Sequence, residues 1–219
     1  MPQPANIFIV DDHPLVRESL TNLVHQSPGL QVCGEAADVE SAIDRIARTS
    51  PDLAIVDISL GTGSGIDLIR AINEQFPEVR TIVLSMHDER VYAERAMRAG
   101  ARGYIMKRES TGKIIDAIRQ VLLGNLYLSK DLTELFAQKF VSGPANVAGG
   151  GVDQLSDREL EVFQLMGQGY ETRQIAETLG VNIKTVQTYC SRIKDKLKLS
   201  SGSELLREAI RWSETAKPV

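Results

Sequence analysis

At 219 residues, with 42% hydrophobic and 25% charged side chains, the chain is long enough for two domains and too apolar to be disordered. No apolar run reaches the length of a membrane span, and the Met1-Pro2-Gln3-Pro4 start lacks the basic and apolar regions of a signal peptide, so a cytoplasmic location is expected. The formal charge of −4 speaks against a polyanionic partner only as an average, because Val181–Ser200 holds five bases (Lys184, Arg192, Lys194, Lys196 and Lys198) against Asp195 alone.

In chain order, Ile7–Val10, Gln31–Cys33, Leu53–Val56, Thr81–Leu84 and Tyr104–Met106 are short, nearly continuous apolar runs. A parallel strand covered on both faces requires that composition. Between them run amphipathic stretches. The first starts at Pro14, a good first-turn residue, with Leu15, Leu20, Leu23 and Val24 at its apolar positions. Val39–Arg48, Ile66–Phe76, Glu89–Ala99 and Thr111–Leu123 follow. Strand and helix alternating five times predict right-handed crossovers and an α/β doubly wound, parallel five-stranded sheet of flavodoxin-like type.

A further helix is expected over Lys130–Val141. Ser142–Gly151 then contains three consecutive glycines beside small residues, which predicts a flexible linker. Beyond it the pattern is a small all-α domain of four helices. Ser156 and Glu159 form a capping box ahead of Leu160, Val162, Phe163 and Leu165. Helices over Glu171–Leu179, from Ile183 to about Lys198, and from about Ser203 complete it. The expected division is residues 1–127, a helix and linker over 128–152, and residues 153–219.

Cys33 and Cys190 are far apart and have no metal-ligand spacing, so two free thiols are expected. His13, His25 and His87 form no metal-binding pair at helical spacing, and His13 is read as merely preceding a helix.

Ligands of open parallel sheets sit outside the carboxyl ends of the strands. Here four of the five strands end in a chemically useful group: Asp11-Asp12, Asp57, Ser85 and Lys107. Three carboxylates in a partly dry cleft repel one another unless a cation compensates. Mg²⁺ suits them, since it takes hard oxygen ligands and keeps waters that phosphate can displace. A shielded Asp57 can then attack a phosphoryl group and form an acyl phosphate, with Lys107 and the Ser85 hydroxyl on the phosphoryl oxygens. A lone strand-end aspartate usually only caps a helix, and a lone lysine is usually solvated. Four such residues on one rim are a far more specific signal.

Ile9-Val10-Asp11-Asp12-His13-Pro14, Val56-Asp57-Ile58 and Lys107 resemble the receiver domains of two-component response regulators over roughly residues 5–125. The resemblance implies phosphotransfer from a histidine kinase. It also implies that Asp12, Asp57 and the Ser59 backbone carbonyl hold Mg²⁺, with Asp11 acting largely through water, and that Ser85 and Tyr104 form a switch pair. The chain departs from that family at Gly61 and Ser64, where proline and Asp or Asn are usual, while Gly65 is retained. A looser loop and an altered acyl-phosphate lifetime are expected.

Gln174–Val181 has helix-turn-helix character: Ala176 lets two helices approach and Gly180 allows the turn between them. The next helix is then the one that enters the major groove. Leu155–Val162, Ile175-Ala176, Lys184-Thr185-Val186 and Ile193–Leu197 resemble the LuxR-type DNA-binding domain over about 153–214, and the two halves together resemble the NarL/FixJ group of response regulators. By position Gln187, Thr188 and Ser191 match base-reading sites, while Arg173, Lys184, Thr185, Arg192 and Lys196 are candidates for phosphate contacts on double-stranded DNA. Gln187 and Tyr189 stand where Lys and His are usual; glutamine can pair bidentately with adenine, whereas lysine more often goes to guanine, so an unusual site preference is expected. Leu205, Leu206, Ala209 and Ile210 form an apolar set that either packs internally or pairs two copies as a homodimer. The expected protein is a phosphorylation-gated transcription regulator and not an enzyme. An aspartyl-phosphate phosphatase is disfavoured because Ser59 stands where a second acid is needed. A regulator independent of phosphorylation is disfavoured by the complete acid, serine and lysine set.

Overall fold

Apolar runs with no polar alternation, such as Ile7–Val10 and Leu53–Val56, fill the central strands of the first unit, because both faces of its sheet are covered there. In the computed structural model, which describes residues 3–61, 63–141 and 151–216, the chain divides into two units, Met1–Ala137 and Gln138–Val219. The first comprises β1 (Ala5–Val10), α1 (Pro14–His25), β2 (Leu30–Ala36), α2 (Val39–Thr49), β3 (Leu53–Val56), β4 (Ser59–Leu60), β5 (Gly63–Ser64), α3 (Gly65–Gln75), β6 (Arg80–Ser85), α4 (Glu89–Ala99), β7 (Gly103–Met106) and α5 (Thr111–Leu122). The helix α6 (Lys130–Val141) follows and crosses the division between the units.

The sheet order is β2-β1-β3-β6-β7, with every pair parallel. Strand order reverses at β1: the chain moves outward to β2, then returns to β3 on the other side. The crossovers diverge there and leave a crevice outside the carboxyl ends of β1 and β3. Ile7, Ile9, Leu53, Ile55, Ile82 and Ile105 pack with Ile114, Ile118 and Val121 of α5 in one buried cluster. Burying each such side chain contributes about 1.5–3 kcal/mol.

The segment after β3 carries a short pairing that the sequence pattern does not signal. Ser59-Leu60 and Gly63-Ser64 pair as a short antiparallel hairpin, and Gly61 turns with φ +47°. Gly65 is required by contact rather than by flexibility: a Cβ there would lie 1.9 Å from the Asp57 carbonyl oxygen.

The second unit holds a 3-10 turn (Val152–Gln154), α7 (Asp157–Gly167), α8 (Thr172–Thr178), α9 (Ile183–Leu197) and α10 (Gly202–Ala216). Ser156 and Glu159 form the expected capping box. The rings of buried Phe163 and partly buried Trp212 meet in a tilted arrangement at 5.8 Å. The glycine-rich stretch read as a linker lies, but for Gly151, outside the described residues. Among the described residues no helix is long and apolar enough to cross a membrane.

Candidate functional site

The reversal of strand order brings together residues that are distant in sequence. Asp11 and Asp12 follow β1, Asp57 follows β3, Ser85 ends β6 and Lys107 follows β7. Asp11, Asp57 and Ser85 are buried. Lys107 Nζ lies 2.6 Å from Asp57 Oδ2 and 2.6 Å from Asp11 Oδ2. Burial pushes the Asp57 carboxyl above its ordinary range, and the nearby Asp11 charge adds to the rise while Lys107 opposes it. Burial alone would lower the Lys107 ammonium, but the Asp57 and Asp11 carboxylates outweigh it and hold the lysine charged.

Ligand atoms of Asp11, Asp12, His13 and Asp57 all lie within 4.8 Å of one another. Asp12 Oδ2 accepts the Gly61 amide at 3.0 Å. Asp12 Oδ1 is buried without a hydrogen bond and lies 2.6 Å from His13 Nδ1. A buried carboxylate oxygen with no hydrogen bond, set among three acids, suits a hard divalent cation, so the residues present fit Mg²⁺.

Three features of the site had no separate signal in the sequence. His13, read as a plain pre-helix residue, belongs to the acidic cluster, and its amide also donates to Asp11 Oδ1 at 2.9 Å. Arg17 of α1 donates to the Asp11 carbonyl at 2.6 Å and to Glu35 Oε2 at 2.9 Å, anchoring the turn that carries the acids. The Ser59 hydroxyl and His87 Nε2 meet at 2.7 Å, joining the segments that follow β3 and β6. Adjacency of His13 to the paired acids was the only available clue.

Ser85 and Tyr104 converge on one loop. The His87 amide donates to Ser85 Oγ at 3.2 Å, and the buried Tyr104 hydroxyl donates to the His87 carbonyl at 3.0 Å. Burial raises the Tyr104 phenol, which therefore stays a donor.

In the second unit α8 and α9 make the helix-turn-helix, with Gly180 at φ +63° in the turn. Asn182 caps α9 by accepting from the Thr185 amide at 2.8 Å. Val186 and Ile193 are buried, and Lys184, Gln187, Thr188, Ser191 and Arg192 lie on the opposite, exposed face at helical spacing. Arg173 on α8 is exposed and pairs with Glu177 at 3.3 Å. Thr188 spends its proton on the Lys184 carbonyl at 2.9 Å.

Two expected groupings separate in three dimensions. Lys196 Nζ lies 2.6 Å from buried Glu159 Oε2, the carboxylate that closes the α7 capping box, so its charge serves the domain's own interior. Leu205 and Ala209 are buried, whereas Leu206 and Ile210 are exposed at 41% and 39%. The four are thus not one dimer face, since α10 buries the first pair against α7, where a Cβ on Gly167 would lie 2.4 Å from the Ala209 carbonyl oxygen. Neither cysteine is in a disulfide, and burial pushes both thiols up.

Residues 7–119 match the family model of the response regulator receiver domain, and residues 153–209 that of the bacterial regulatory proteins of the luxR family. The chain is 34% identical to the oxygen regulatory protein NreC of Staphylococcus carnosus (strain TM300), over 94% of this chain and 96% of that one. Among solved structures, it is similar to a LuxR-family two-component response regulator from Aurantimonas sp. SI85-9A1, with 34% identity and a TM-score of 0.59 over 64% of this chain and 99% of the other. It is also similar to RcsB from Salmonella enterica serovar Typhimurium, solved bound to a promoter with the phosphomimetic BeF3⁻. There the identity is 25% and the TM-score 0.58, over 95% of this chain and all of that one.

Proposed function

The chain belongs to the response regulators that join a receiver domain to a LuxR-type DNA-binding domain, and from that premise we propose that Asp57 is its phosphoacceptor. A histidine kinase is the partner of such a receiver, and the product of signalling is a change in transcription; the family is one of regulators, not of enzymes.

The observation that carries the reading is the meeting of Asp11, Asp12, Asp57 and Lys107 in the crevice between β1 and β3. An Asp57 oxygen attacks the phosphorus of a phosphohistidine; the P–N bond breaks and the imidazole leaves with its electron pair. Lys107 stays charged beside the acceptor and pairs with the phosphoryl oxygens, while the Ser85 hydroxyl donates to one of them. Arg17 holds the Asp11 turn in place. Mg²⁺, held by Asp12, Asp57 and the Ser59 carbonyl, with Asp11 through water, would offset the mutual repulsion of carboxylates and phosphoryl oxygens. Ser85 and Tyr104 act as the switch through the shared His87 loop.

In the second half Gln187, Thr188 and Ser191 read base edges of double-stranded DNA. Arg173, Lys184, Thr185 and Arg192 contact phosphates, and Lys196 contributes less because Glu159 shares its charge. Leu206 and Ile210, one turn apart and exposed, are the part of the apolar set that can pair two copies as a homodimer, with Leu205 and Ala209 supporting them from beneath. The protein acts in the cytoplasm, with a receiver over 1–127, a helix and linker over 128–152 and the DNA-binding domain over 153–219.

The test is incubation with a small phosphodonor and Mg²⁺, read by intact mass, followed by binding to genomic DNA fragments. Phosphoryl incorporation in the wild type and its loss in Asp57→Asn are expected. Incorporation that survives the substitution removes Asp57 as the acceptor. Equal DNA affinity with and without beryllofluoride removes the gating.

A further inference from the structure

The segment that leaves α5 turns back onto the sheet before α6 begins. Gly124 makes the turn at φ +90°, and Tyr127 then pairs alongside β7. The Tyr127 amide donates to the Arg102 carbonyl at 2.9 Å, and the Tyr104 amide donates to the Tyr127 carbonyl at 3.0 Å. Gly103 permits the approach, since a Cβ there would lie 3.1 Å from that Tyr127 oxygen.

Two residues on, Ser129 caps α6 by accepting from the Leu132 amide at 3.2 Å, and Leu132 is buried. The same hydroxyl donates to Glu89 Oε1 at 2.7 Å. Arg90 and Asp131 add an exposed ion pair at 3.9 Å between the same two helices. Glu89 is the first residue of α4, and it follows directly on the loop in which His87 bonds both Ser85 Oγ and the Tyr104 hydroxyl. From Ser85 to the cap of α6, each link is therefore either a hydrogen bond or one or two residues of backbone.

We propose that Ser129 is the positioning residue through which the state of Ser85 and Tyr104 reaches α6. It rests on the reading of Asp57 as the phosphoacceptor. In the unphosphorylated receiver Ser129 ties the start of α6 to α4. A phosphoryl group on Asp57 draws the Ser85 hydroxyl toward itself, the His87 loop follows, and Glu89 moves away from Ser129. A hydrogen bond of 2.7 Å is gone once the atoms separate by about another ångström. The α6 helix has 12 residues, marginal length for a helix without tertiary support, so losing its tether loosens the element that leads out of the receiver.

The experiment is hydrogen exchange on the full chain with and without beryllofluoride and Mg²⁺, with fluorine NMR reporting occupancy of the Asp57 site. In the wild type, exchange of the amides at 133–137 is expected to rise about tenfold on adding beryllofluoride, as the loss of one charge-assisted hydrogen bond allows. Ser129→Ala and Glu89→Ala should exchange fast in both states, the second without touching the α6 cap, and Ser129→Thr should restore the wild-type response. If beryllofluoride binds and the wild-type α6 exchange stays constant, the coupling is overturned while the acceptor reading stands. If Glu89→Ala keeps the wild-type response, or Ser129→Thr does not restore it, Ser129 is only a helix cap. If no beryllofluoride reaches Asp57, the acceptor reading falls and this inference with it.

Discussion

Lys107 Nζ stands 2.6 Å from a carboxylate oxygen of Asp57 and 2.6 Å from one of Asp11, although the three residues come from different strand ends. One ammonium offsets two buried acids, which leaves the cluster with an excess of negative charge even before Asp12 is counted. The first consequence concerns stability. Lys107→Ala strands the acids without their protein cation and should cost about 3 kcal/mol. Urea unfolding followed by circular dichroism measures the loss, and added Mg²⁺ should recover part of it in the variant. An unchanged midpoint without Mg²⁺ would show that the lysine is solvated.

Gly65→Ala tests the close approach of α3 to the backbone at Asp57. The new methyl would sit 1.9 Å from the Asp57 carbonyl oxygen, and backbone rather than a flexible side chain must give way. A destabilisation of about 3 kcal/mol is expected, at the upper end of overpacking costs. Phosphoryl incorporation should fall with it, measured by intact mass after exposure to a small phosphodonor.

The Glu159–Lys196 pair makes the second unit acid-sensitive. Burial alone would raise the Glu159 carboxyl, but the Lys196 ammonium and the Ser156 amide outweigh it and hold the group below its ordinary 4.5. A carboxyl depressed in the folded state stabilises above its unfolded pKa, and that contribution disappears as pH falls through the folded value. Lys196→Met should therefore cost about 1–2 kcal/mol at pH 7, less than a fully buried pair because Lys196 is 39% exposed. The gap between variant and wild type should close below pH 4.5. Trp212, the one tryptophan in the chain, reports this unfolding by fluorescence from its place beside Phe163.

On the α9 surface, Lys184→Ala should weaken DNA binding for every sequence and lower the slope of log K against log salt by about 0.9. Gln187→Ala should instead relax discrimination at one base position by about 1–3 kcal/mol and leave the salt slope alone. Titrations at several salt concentrations on matched and mismatched fragments distinguish the two. A salt effect for Gln187 would move it to the phosphate group.

The α10 helix carries buried and exposed apolar positions that substitution can separate. Leu205→Ala should destabilise the second unit by about 2–5 kcal/mol through the cavity it leaves. Leu206→Glu and Ile210→Glu should leave unfolding nearly unchanged and shift sedimentation of the beryllofluoride-treated protein toward monomer. Dimers that persist in both variants place the interface elsewhere.

The periodic features of this chain were legible in one dimension because each depends on neighbours within a turn or two. Unbroken apolar runs marked the five sheet strands, Ser156 and Glu159 marked the start of α7, and strand-end position marked Asp11, Asp12, Asp57, Ser85 and Lys107. The hairpin over Ser59–Ser64 escaped notice, since two-residue strands carry no periodicity. What emerged from folding alone are the contacts between distant positions: Ser59 with His87, Ser129 with Glu89 and Lys196 with Glu159, at separations of 28, 40 and 37 residues. No local pattern encodes such pairs, because hydrogen bonds and ion pairs are set by distances of about 3 Å, and helix packing chooses which side chains come that close. The same packing split Leu205 and Ala209 from Leu206 and Ile210, two pairs that look alike along the chain but face opposite environments in the folded domain.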